Sequence, residues 1–114
     1  MTLINETRNI TLAKKVLIAD TPFKRMKGLL GRNSFNQAEA LIIKPCNSIH
    51  TFFMRFPIDV IFVNRQNSIV KTIINLRPWR LTGVYLSADF CIELPAGIIS
   101  ATRTAKNDFI SFED

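Results

Sequence analysis

The sequence predicts a mainly β fold: a small antiparallel sandwich or barrel-like domain with one or two short helices. Three observations support this prediction. Apolar runs of strand length recur along the chain, and a polar connection suited to a β-hairpin, residues 64–67, lies between two of them. Only one segment has a clear helical spacing of apolar residues. Strands and helices do not alternate regularly, which argues against a doubly wound parallel sheet.

The first strand and the helix are assigned from local signals. Residues 10–19 are a predicted strand because they are rich in β-favouring apolar groups. Thr21 followed by Pro22 indicates a helix start, with Thr as the N-cap and Pro at the first helical position. Gly31 is placed to end this helix. The predicted apolar face consists of Phe23, Met26, Leu29 and Leu30.

The rest of the chain is mostly strand, and the whole chain, residues 1–114, is expected to form a single domain. The predicted strands are residues 40–43, 48–54, 58–63, 68–74, 86–94 and 109–112. Residues 95–104 fit either a turn at Gly97 or a helical turn. A chain of 114 residues buries about two thirds of its surface on folding, enough for a core without metal or disulfide support.

Composition excludes several classes of protein. A hydrophobic fraction of 47% with nine Phe residues excludes a disordered chain. No apolar run approaches the ~18 residues of a membrane span. Residues 1–10 lack the apolar stretch and cleavage site of a signal peptide, which predicts a cytoplasmic location. Cys46 and Cys91 are expected to be buried free thiols. His50 is the single histidine, so no metal and no cofactor are predicted.

The net charge of +6 is unevenly distributed. Residues 8–80 contain 13 Lys and Arg against three acids, whereas residues 81–114 have a net charge of −3. The densest basic stretch consists of Lys24, Arg25, Lys27 and Arg32. It is either the solvated face of the helix or a phosphate-contacting patch. No nucleic-acid-binding motif accompanies it, which favours the first interpretation.

The segment 45–54 contains most of the reactive side chains. If it is extended, Cys46, Ser48, His50 and Met54 lie on one face. A thiol or hydroxyl beside a base is a usable nucleophile. An extended strand would nevertheless separate Cys46 from His50 by roughly 13 Å, so a bend would be required. The alternative is a buried thiol and a hydrogen-bonded core histidine.

Two carboxylates stand in apolar surroundings. Asp59 lies in a strand whose two faces are otherwise apolar, so it requires a partner. The candidate partners are His50, Arg55 and Arg32. Glu93 precedes a turn, where it would accept backbone N–H bonds or pair with an arginine. The alternative is that Glu93 and Asp59 form a carboxylate pair in a cleft.

The only tryptophan of the chain lies between two arginines, in the sequence Arg77-Pro78-Trp79-Arg80. This arrangement suits a loop in which guanidinium groups stack on the indole ring. Such a loop is a candidate anion-binding rim, and packing of Trp79 over the end of the barrel is the alternative.

Four motifs occur in order between about residues 20 and 112: Arg25-x-x-Gly28-Leu-Leu-Gly-Arg32, Pro45-Cys-x-Ser-Ile-His50-Thr-Phe-Phe-Met54, Ile58-Asp-Val-Ile-Phe62 and Glu93-Leu-Pro-Ala-Gly97. In series they resemble the uncharacterised bacterial and archaeal family called domain of unknown function 192. The resemblance implies a compact, mainly β single domain and supplies no activity. It marks Arg32, His50, Met54, Asp59, Glu93 and Gly97 as motif positions. The chain departs from the family pattern by lacking the export signal of many relatives, and by having Asn107-Asp108 where Gly-Asp is usual.

Three function hypotheses follow, in order of preference. The first is a binding module whose polar cleft, around His50, Asp59 and Glu93, takes a small polar ligand or peptide. The other expected members of this polar cluster are Arg32, Cys46, Ser48 and Met54. The second is a hydrolase-type enzyme that uses His50 and Asp59 as a base with Cys46 or Ser48 as nucleophile. The third is a basic accessory protein that contacts nucleic acid.

Overall fold

The computed structural model describes residues 1–114 and contains eight strands and two short helices. The strands are β1 (Thr2–Asn5), β2 (Ile10–Ala13), β3 (Lys15–Ala19), β4 (Glu39–Ile43), β5 (Ile58–Val63), β6 (Ile69–Leu76), β7 (Phe90–Pro95) and β8 (Ile110–Glu113). The helices are α1 (Pro22–Lys27) and α2 (Ile98–Thr102). The prediction of a mainly β fold with one or two short helices is confirmed.

The strands form two sheets. The large sheet has the order β3-β4-β7-β5-β6, and the small sheet has the order β2-β1-β8. All pairs are antiparallel except β3 with β4, which are parallel. A parallel pair needs a long crossover connection, and residues 20–38, which include α1, provide it here. The predicted antiparallel domain thus contains one parallel pair, at this edge of the large sheet.

The large sheet is covered on both faces, so every residue of β4, β5 and β7 is buried. One face packs against the small sheet and α2, where Ile61 and Ile92 meet Leu3 and Ile99. The other face lies beneath α1 and the loops around it, and its core residues include Val60, Phe62, Cys91, Leu29 and Met54. Side chains alternate between the two faces along each strand. This alternation decides which residues of β5 and β7 can reach the site described below.

Several strand boundaries differ from the predictions. Residues 10–19 form two strands in different sheets, β2 and β3, and β1 was not predicted. Residues 86–89 precede β7 and are not part of a strand. The prediction of a strand over residues 48–54 is wrong, because this segment is a loop with one isolated bridge, between His50 and Leu81. Phe53 adopts a φ of 66°, which no extended strand contains.

Helix α1 begins where the sequence predicts and ends early. The Thr21 hydroxyl accepts a hydrogen bond from the backbone N–H of Lys24 at 3.2 Å, and the helix ends at Gly28 with a φ of 46°, three residues before Gly31. The predicted apolar face is wrong, because Phe23 and Met26 are more than 70% exposed. A helix of six residues is too short to bury a stripe, and the turn at Gly28 sends Leu29 into the core instead. Neither helix is long and apolar enough to cross a membrane.

Candidate functional site

A cavity of about 300 Å³ lies on the face of the large sheet that α1 and the neighbouring loops cover. Residues 25–30 form one wall, Ile43 and residues 45–50 form another, and Glu93 of β7 contributes from the sheet. Five predicted site residues meet there: Cys46, Ser48, His50, Met54 and Glu93. The sequence analysis missed the cavity role of Arg25 and Lys27, and the apolar lining contributed by Leu29, Ile43 and Ile49. The motif beginning at Arg25 was the available signal for this wall.

The loop that contains Cys46 and His50 is fixed by Thr51, a fully buried residue. The Thr51 hydroxyl donates to the carbonyl of Arg77 at 2.6 Å and accepts from the backbone N–H of Arg80 at 2.9 Å. The Thr51 backbone N–H donates to the Arg80 carbonyl at 2.9 Å, and its carbonyl accepts from the Trp79 N–H at 2.9 Å. These four bonds tie the loop to residues 77–80 and hold one side of the cavity.

Cys46 and Cys91 are both free thiols in contact, but they differ in exposure. Cys46 is half-buried and lines the cavity, whereas Cys91 is fully buried in β7. The hydrogen bond from the Cys91 thiol lowers the pKa of Cys46 despite burial, and the charge of Arg25 acts in the same direction. Burial raises the pKa of Cys91, and the neighbouring Cys46 sulfur adds to this effect. The expectation of two buried thiols is therefore wrong for Cys46, because it lies in the cavity wall.

His50 and Cys46 share the cavity, and each is hydrogen-bonded to a backbone group near it in the sequence. The Cys46 thiol donates to the backbone carbonyl of Ser48 at 3.1 Å. The His50 Nδ1 atom accepts from the Phe52 N–H at 3.3 Å, and the two rings stack with centroids 5.0 Å apart. The alternative prediction, a hydrogen-bonded histidine in the core, is wrong about its location, because His50 is exposed at the rim of the cavity.

Glu93 is the chemically unusual residue of the cavity. It is 4% exposed, and its Oε2 atom is buried without a hydrogen-bond partner. Burial raises the pKa of Glu93 to about 8, and the neighbouring Cys46 sulfur adds to the shift. The carboxyl group is therefore neutral at pH 7 and can donate a hydrogen bond into the cavity. The expected partners of Glu93, backbone N–H groups or an arginine, are absent at Oε2.

Asp59 lies outside the cavity, on the opposite face of the same sheet. Its register partner on β7 is Leu94, whereas Glu93 is paired with Val60, so the two carboxyl groups point to different sides. The predicted pairing of Asp59 with His50, Arg55 or Arg32, and the alternative pairing with Glu93, are therefore wrong.

The partners of Asp59 are backbone groups. Its Oδ1 atom accepts from the N–H of Asn75 at 2.9 Å, and Oδ2 accepts from those of Gly97 at 3.1 Å and Ile99 at 2.9 Å. Asp59 thus joins the end of β6 to the start of α2, and the structure gives it a structural role in place of the predicted role in the cleft.

The remaining predicted site residues also lie elsewhere. Arg32 donates from Nη2 to Glu39 Oε1 at 2.7 Å and does not line the cavity. The loop of Arg77, Trp79 and Arg80 lies outside the cavity as well. Aromatic rings pack on Trp79, with the centroid of Phe53 at 4.6 Å. This contact matches the packing alternative for Trp79 and contains no guanidinium group.

The basic stretch borders two neighbouring cavities. Arg25 and Lys27 line the cavity, whereas Arg32 is paired with Glu39. Lys24, Lys27 and Arg32 line a second cavity, of about 320 Å³, so Lys27 borders both cavities. No group of three or more His, Cys, Asp or Glu side chains is arranged to hold a metal ion.

Comparison with known proteins identifies the family. The model of DUF192, a family described as an uncharacterized ACR, matches residues 3–112. This chain belongs to the DUF192 family. The match begins at residue 3, earlier than the motifs indicated, and therefore includes β1 and β2. The resemblance predicted from the motifs is confirmed.

Individual relatives agree with this assignment. The chain is 36% identical over 115 residues to a UPF0127 protein of Thermococcus sibiricus, covering 97% of this chain and 74% of that protein. It is 34% identical over 116 residues to a UPF0127 protein of Pyrococcus abyssi, covering 96% of each. A crystal structure of a protein of unknown function from Novosphingobium aromaticivorans has a TM-score of 0.83 at 17% identity, covering 97% of this chain and 82% of that one. At this low sequence identity, the structural comparison supports the fold and no function.

Proposed function

We propose that this protein is a small-molecule-binding domain whose cavity takes a small organic anion with an apolar portion. The observation that carries this proposal is the buried, unpartnered Oε2 atom of Glu93. A buried polar atom without a partner costs about 1–3 kcal/mol. A ligand that accepts a hydrogen bond from the protonated carboxyl would recover this cost.

The other walls of the cavity define the ligand class. Arg25 and Lys27 supply positive charge on the side of α1, which favours a negatively charged ligand. Leu29, Ile49 and Met54 supply apolar surface, which favours a hydrocarbon portion. A volume of about 300 Å³ lies at the lower end of the range for small-molecule sites. A short aliphatic or aromatic carboxylate meets all three conditions.

The binding-module hypothesis is better supported than the enzyme hypothesis. A nucleophile needs its base within hydrogen-bond reach, whereas the Cys46 thiol bonds to Ser48 and His50 bonds to Phe52. Asp59, the other half of the expected base, lies on the far face of the sheet. Arg25 and Lys27 of the basic stretch line the cavity, and no nucleic-acid-binding motif accompanies the stretch, which favours a ligand in the cavity over a nucleic acid on the surface.

The first experiment locates binding by matched probes. Hexanoate and hexylammonium, which share a hydrocarbon chain and differ in charge, are titrated separately into ¹⁵N-labelled protein. We expect hexanoate to shift the amide signals of residues 25–30 and 46–50 and to bind more tightly than hexylammonium, because the cationic wall attracts only the carboxylate. Equal shifts from both probes, or no shifts at these residues, would contradict the proposal.

A second experiment isolates Glu93. Hexanoate affinity is measured by calorimetry at roughly pH 6 and roughly pH 10, for the wild type and Glu93→Gln. Ionised Glu93 repels the carboxylate, so we expect the wild type to lose more affinity with rising pH than the variant. Both proteins contain the same other ionisable groups near the cavity: Cys46, Cys91, His50, Arg25 and Lys27. The difference in affinity loss between the two proteins therefore reports Glu93 alone. Identical losses would exclude Glu93 from ligand contact.

We also infer a cytoplasmic location. The contact between two free thiols, Cys46 and Cys91, supports it, because an oxidising compartment converts such pairs to stable disulfides. Fractionation of cells that produce the protein from its own gene tests this inference. Recovery of the protein outside the cytoplasm would contradict it.

A further inference from the structure

The sheet brings the two cysteines of the chain to one place. Cys91 lies in β7 with Ile43 of β4 as its register partner. The chain leaves β4 at Ile43 and turns back, and the Cys46 backbone N–H then donates to the carbonyl of Asp89 at 3.1 Å. Cys46 consequently packs against the core cluster that contains Cys91, 45 positions later in the sequence.

The two thiols differ in solvent exposure and in how well their thiolates are stabilised, and these differences predict which of them reacts first. Cys46 lines the cavity and is reached from solvent, whereas Cys91 is 0% exposed behind it. The neighbouring Cys91 thiol and, to a smaller extent, Arg25 stabilise the Cys46 thiolate, the reactive form of a cysteine, and lower the pKa of Cys46. Cys91 does not line the cavity and lies in the core cluster against which Cys46 packs.

We propose that Cys46 is a redox-active thiol that a small hydroperoxide oxidises through the cavity, and that Cys91 resolves the product as a reversible Cys46–Cys91 disulfide. Cys46 lines the same cavity as Glu93, but the oxidation does not require the proposed ligand-binding function. Neither sulfur is assigned a role in ligand recognition above.

The chemistry balances in two steps. The Cys46 thiolate attacks one oxygen of the hydroperoxide, forming an S–O bond and breaking the O–O bond, and the alkoxide or hydroxide that leaves takes up a proton. Cys46 is then a sulfenic acid, oxidised by two electrons. The Cys91 sulfur attacks the Cys46 sulfur, forming the S–S bond and breaking the S–O bond, and the leaving hydroxide combines with the thiol proton as water. A dithiol reductant reverses the oxidation by thiol–disulfide exchange.

The test treats the reduced protein with hydrogen peroxide and follows intact mass, free thiols and the peptide map. We expect the loss of two hydrogen atoms and both thiols, a cross-linked peptide containing Cys46 and Cys91, and full reversal by dithiothreitol. An oxidised wild type that keeps Cys91 as a free thiol, or that pairs only between molecules, would overturn the proposal. Because the mapping uses the wild type, this result does not depend on whether a core variant folds.

Two variants assign the order of events. In Cys91→Ala we expect a sulfenic acid at Cys46 that dimedone traps, because the resolving thiol is missing. In Cys46→Ala we expect Cys91 to react with peroxide at least tenfold more slowly than Cys46 does in the wild type, because it is shielded from solvent and its thiolate is disfavoured. Equal reaction of Cys91 in that variant, with the fold verified by circular dichroism, would contradict the assignment of Cys46 as the entry point.

Discussion

Two buried carboxyl groups on neighbouring strands are stabilised in opposite ways. Asp59 of β5 receives three backbone hydrogen bonds on one face of the large sheet. Glu93 of β7 lies on the other face with Oε2 unpartnered. Burial costs each group the solvation of its charged form, and only Asp59 has donors that offset this cost. Asp59 therefore supports the fold, whereas Glu93 is available for a ligand.

Replacement of Asp59 tests its structural role. Asp59→Ala leaves three buried N–H groups, of Asn75, Gly97 and Ile99, without their acceptor. We expect the free energy of unfolding to fall by about 3–5 kcal/mol in urea denaturation. Asp59→Asn keeps the shape and one acceptor oxygen, so we expect a smaller loss. An unchanged midpoint for Asp59→Ala would contradict this role.

The pH dependence of stability tests Glu93. The folded protein holds the Glu93 proton up to a pKa of about 8, whereas the ordinary value is 4.5. Between these two values the folded state therefore binds more protons than the unfolded state. The contribution of Glu93 to the free energy of unfolding is fully present below pH 4.5 and is lost as the pH rises through 8.

Glu93→Gln is the matched variant for this measurement, since its amide cannot ionise. We expect the wild type to lose up to about 1.4 kcal/mol more than Glu93→Gln for each pH unit within that window. The measurement is urea denaturation across the pH range. Parallel stability curves for the two proteins would show that Glu93 titrates normally.

Among the elements, the loop over residues 44–56 decides the geometry of the cavity, although it contains no strand. Its ordering depends on residues 77–85, which run beside it. Ile49 and Thr82 exchange two hydrogen bonds, each of 2.9 Å, and the Tyr85 N–H donates to the Asn47 carbonyl at 2.8 Å. Thr51 adds the buried hydroxyl described above. Two irregular segments therefore stabilise each other and present Cys46 and His50.

Thr51→Val removes the hydroxyl and keeps the shape of the side chain. We expect it to lower the free energy of unfolding by about 1–3 kcal/mol, because the Arg77 carbonyl and the Arg80 N–H lose a partner. We also expect faster amide hydrogen exchange at residues 46–51. Thr51→Ser, which retains the hydroxyl, is the control. Unchanged exchange in Thr51→Val would contradict the anchoring role of Thr51.

Helix α1 illustrates what local signals predict and what they do not. The N-cap at Thr21 and the Pro at the first position are properties of adjacent residues, and both were predicted. The burial of the helix depends on what lies opposite it, and six residues present too short a face for periodicity to decide this. Met26 consequently lines the cavity while remaining 74% exposed.

At the scale of the whole molecule, the sequence predicted the mainly β class and the doubly buried strand β5. Both follow from composition and apolar runs. The division of residues 10–19 between two sheets and the parallel pairing of β3 with β4 depend on long-range contacts, which no local pattern encodes.

The candidate site was predicted in part for the same reason. Cys46, Ser48, His50, Met54 and Glu93 were named as one cluster, and the structure brings them to one cavity. Asp59 was assigned to that cluster in error, because the face on which a side chain lies depends on the register between β5 and β7. Register is a property of strand pairs and not of a single strand. The sequence therefore predicted that both acids lie in apolar surroundings, but not that they lie on opposite faces of the sheet.

The protonation state of Glu93 is the central claim, because both the ligand class and the pH dependence follow from it. The most direct measurement is a titration of the Glu93 side-chain carboxyl carbon by ¹³C nuclear magnetic resonance, with the signal assigned by its absence in Glu93→Gln. The structure predicts a midpoint at a pKa of about 8. A midpoint near the ordinary value of 4.5 would contradict the account.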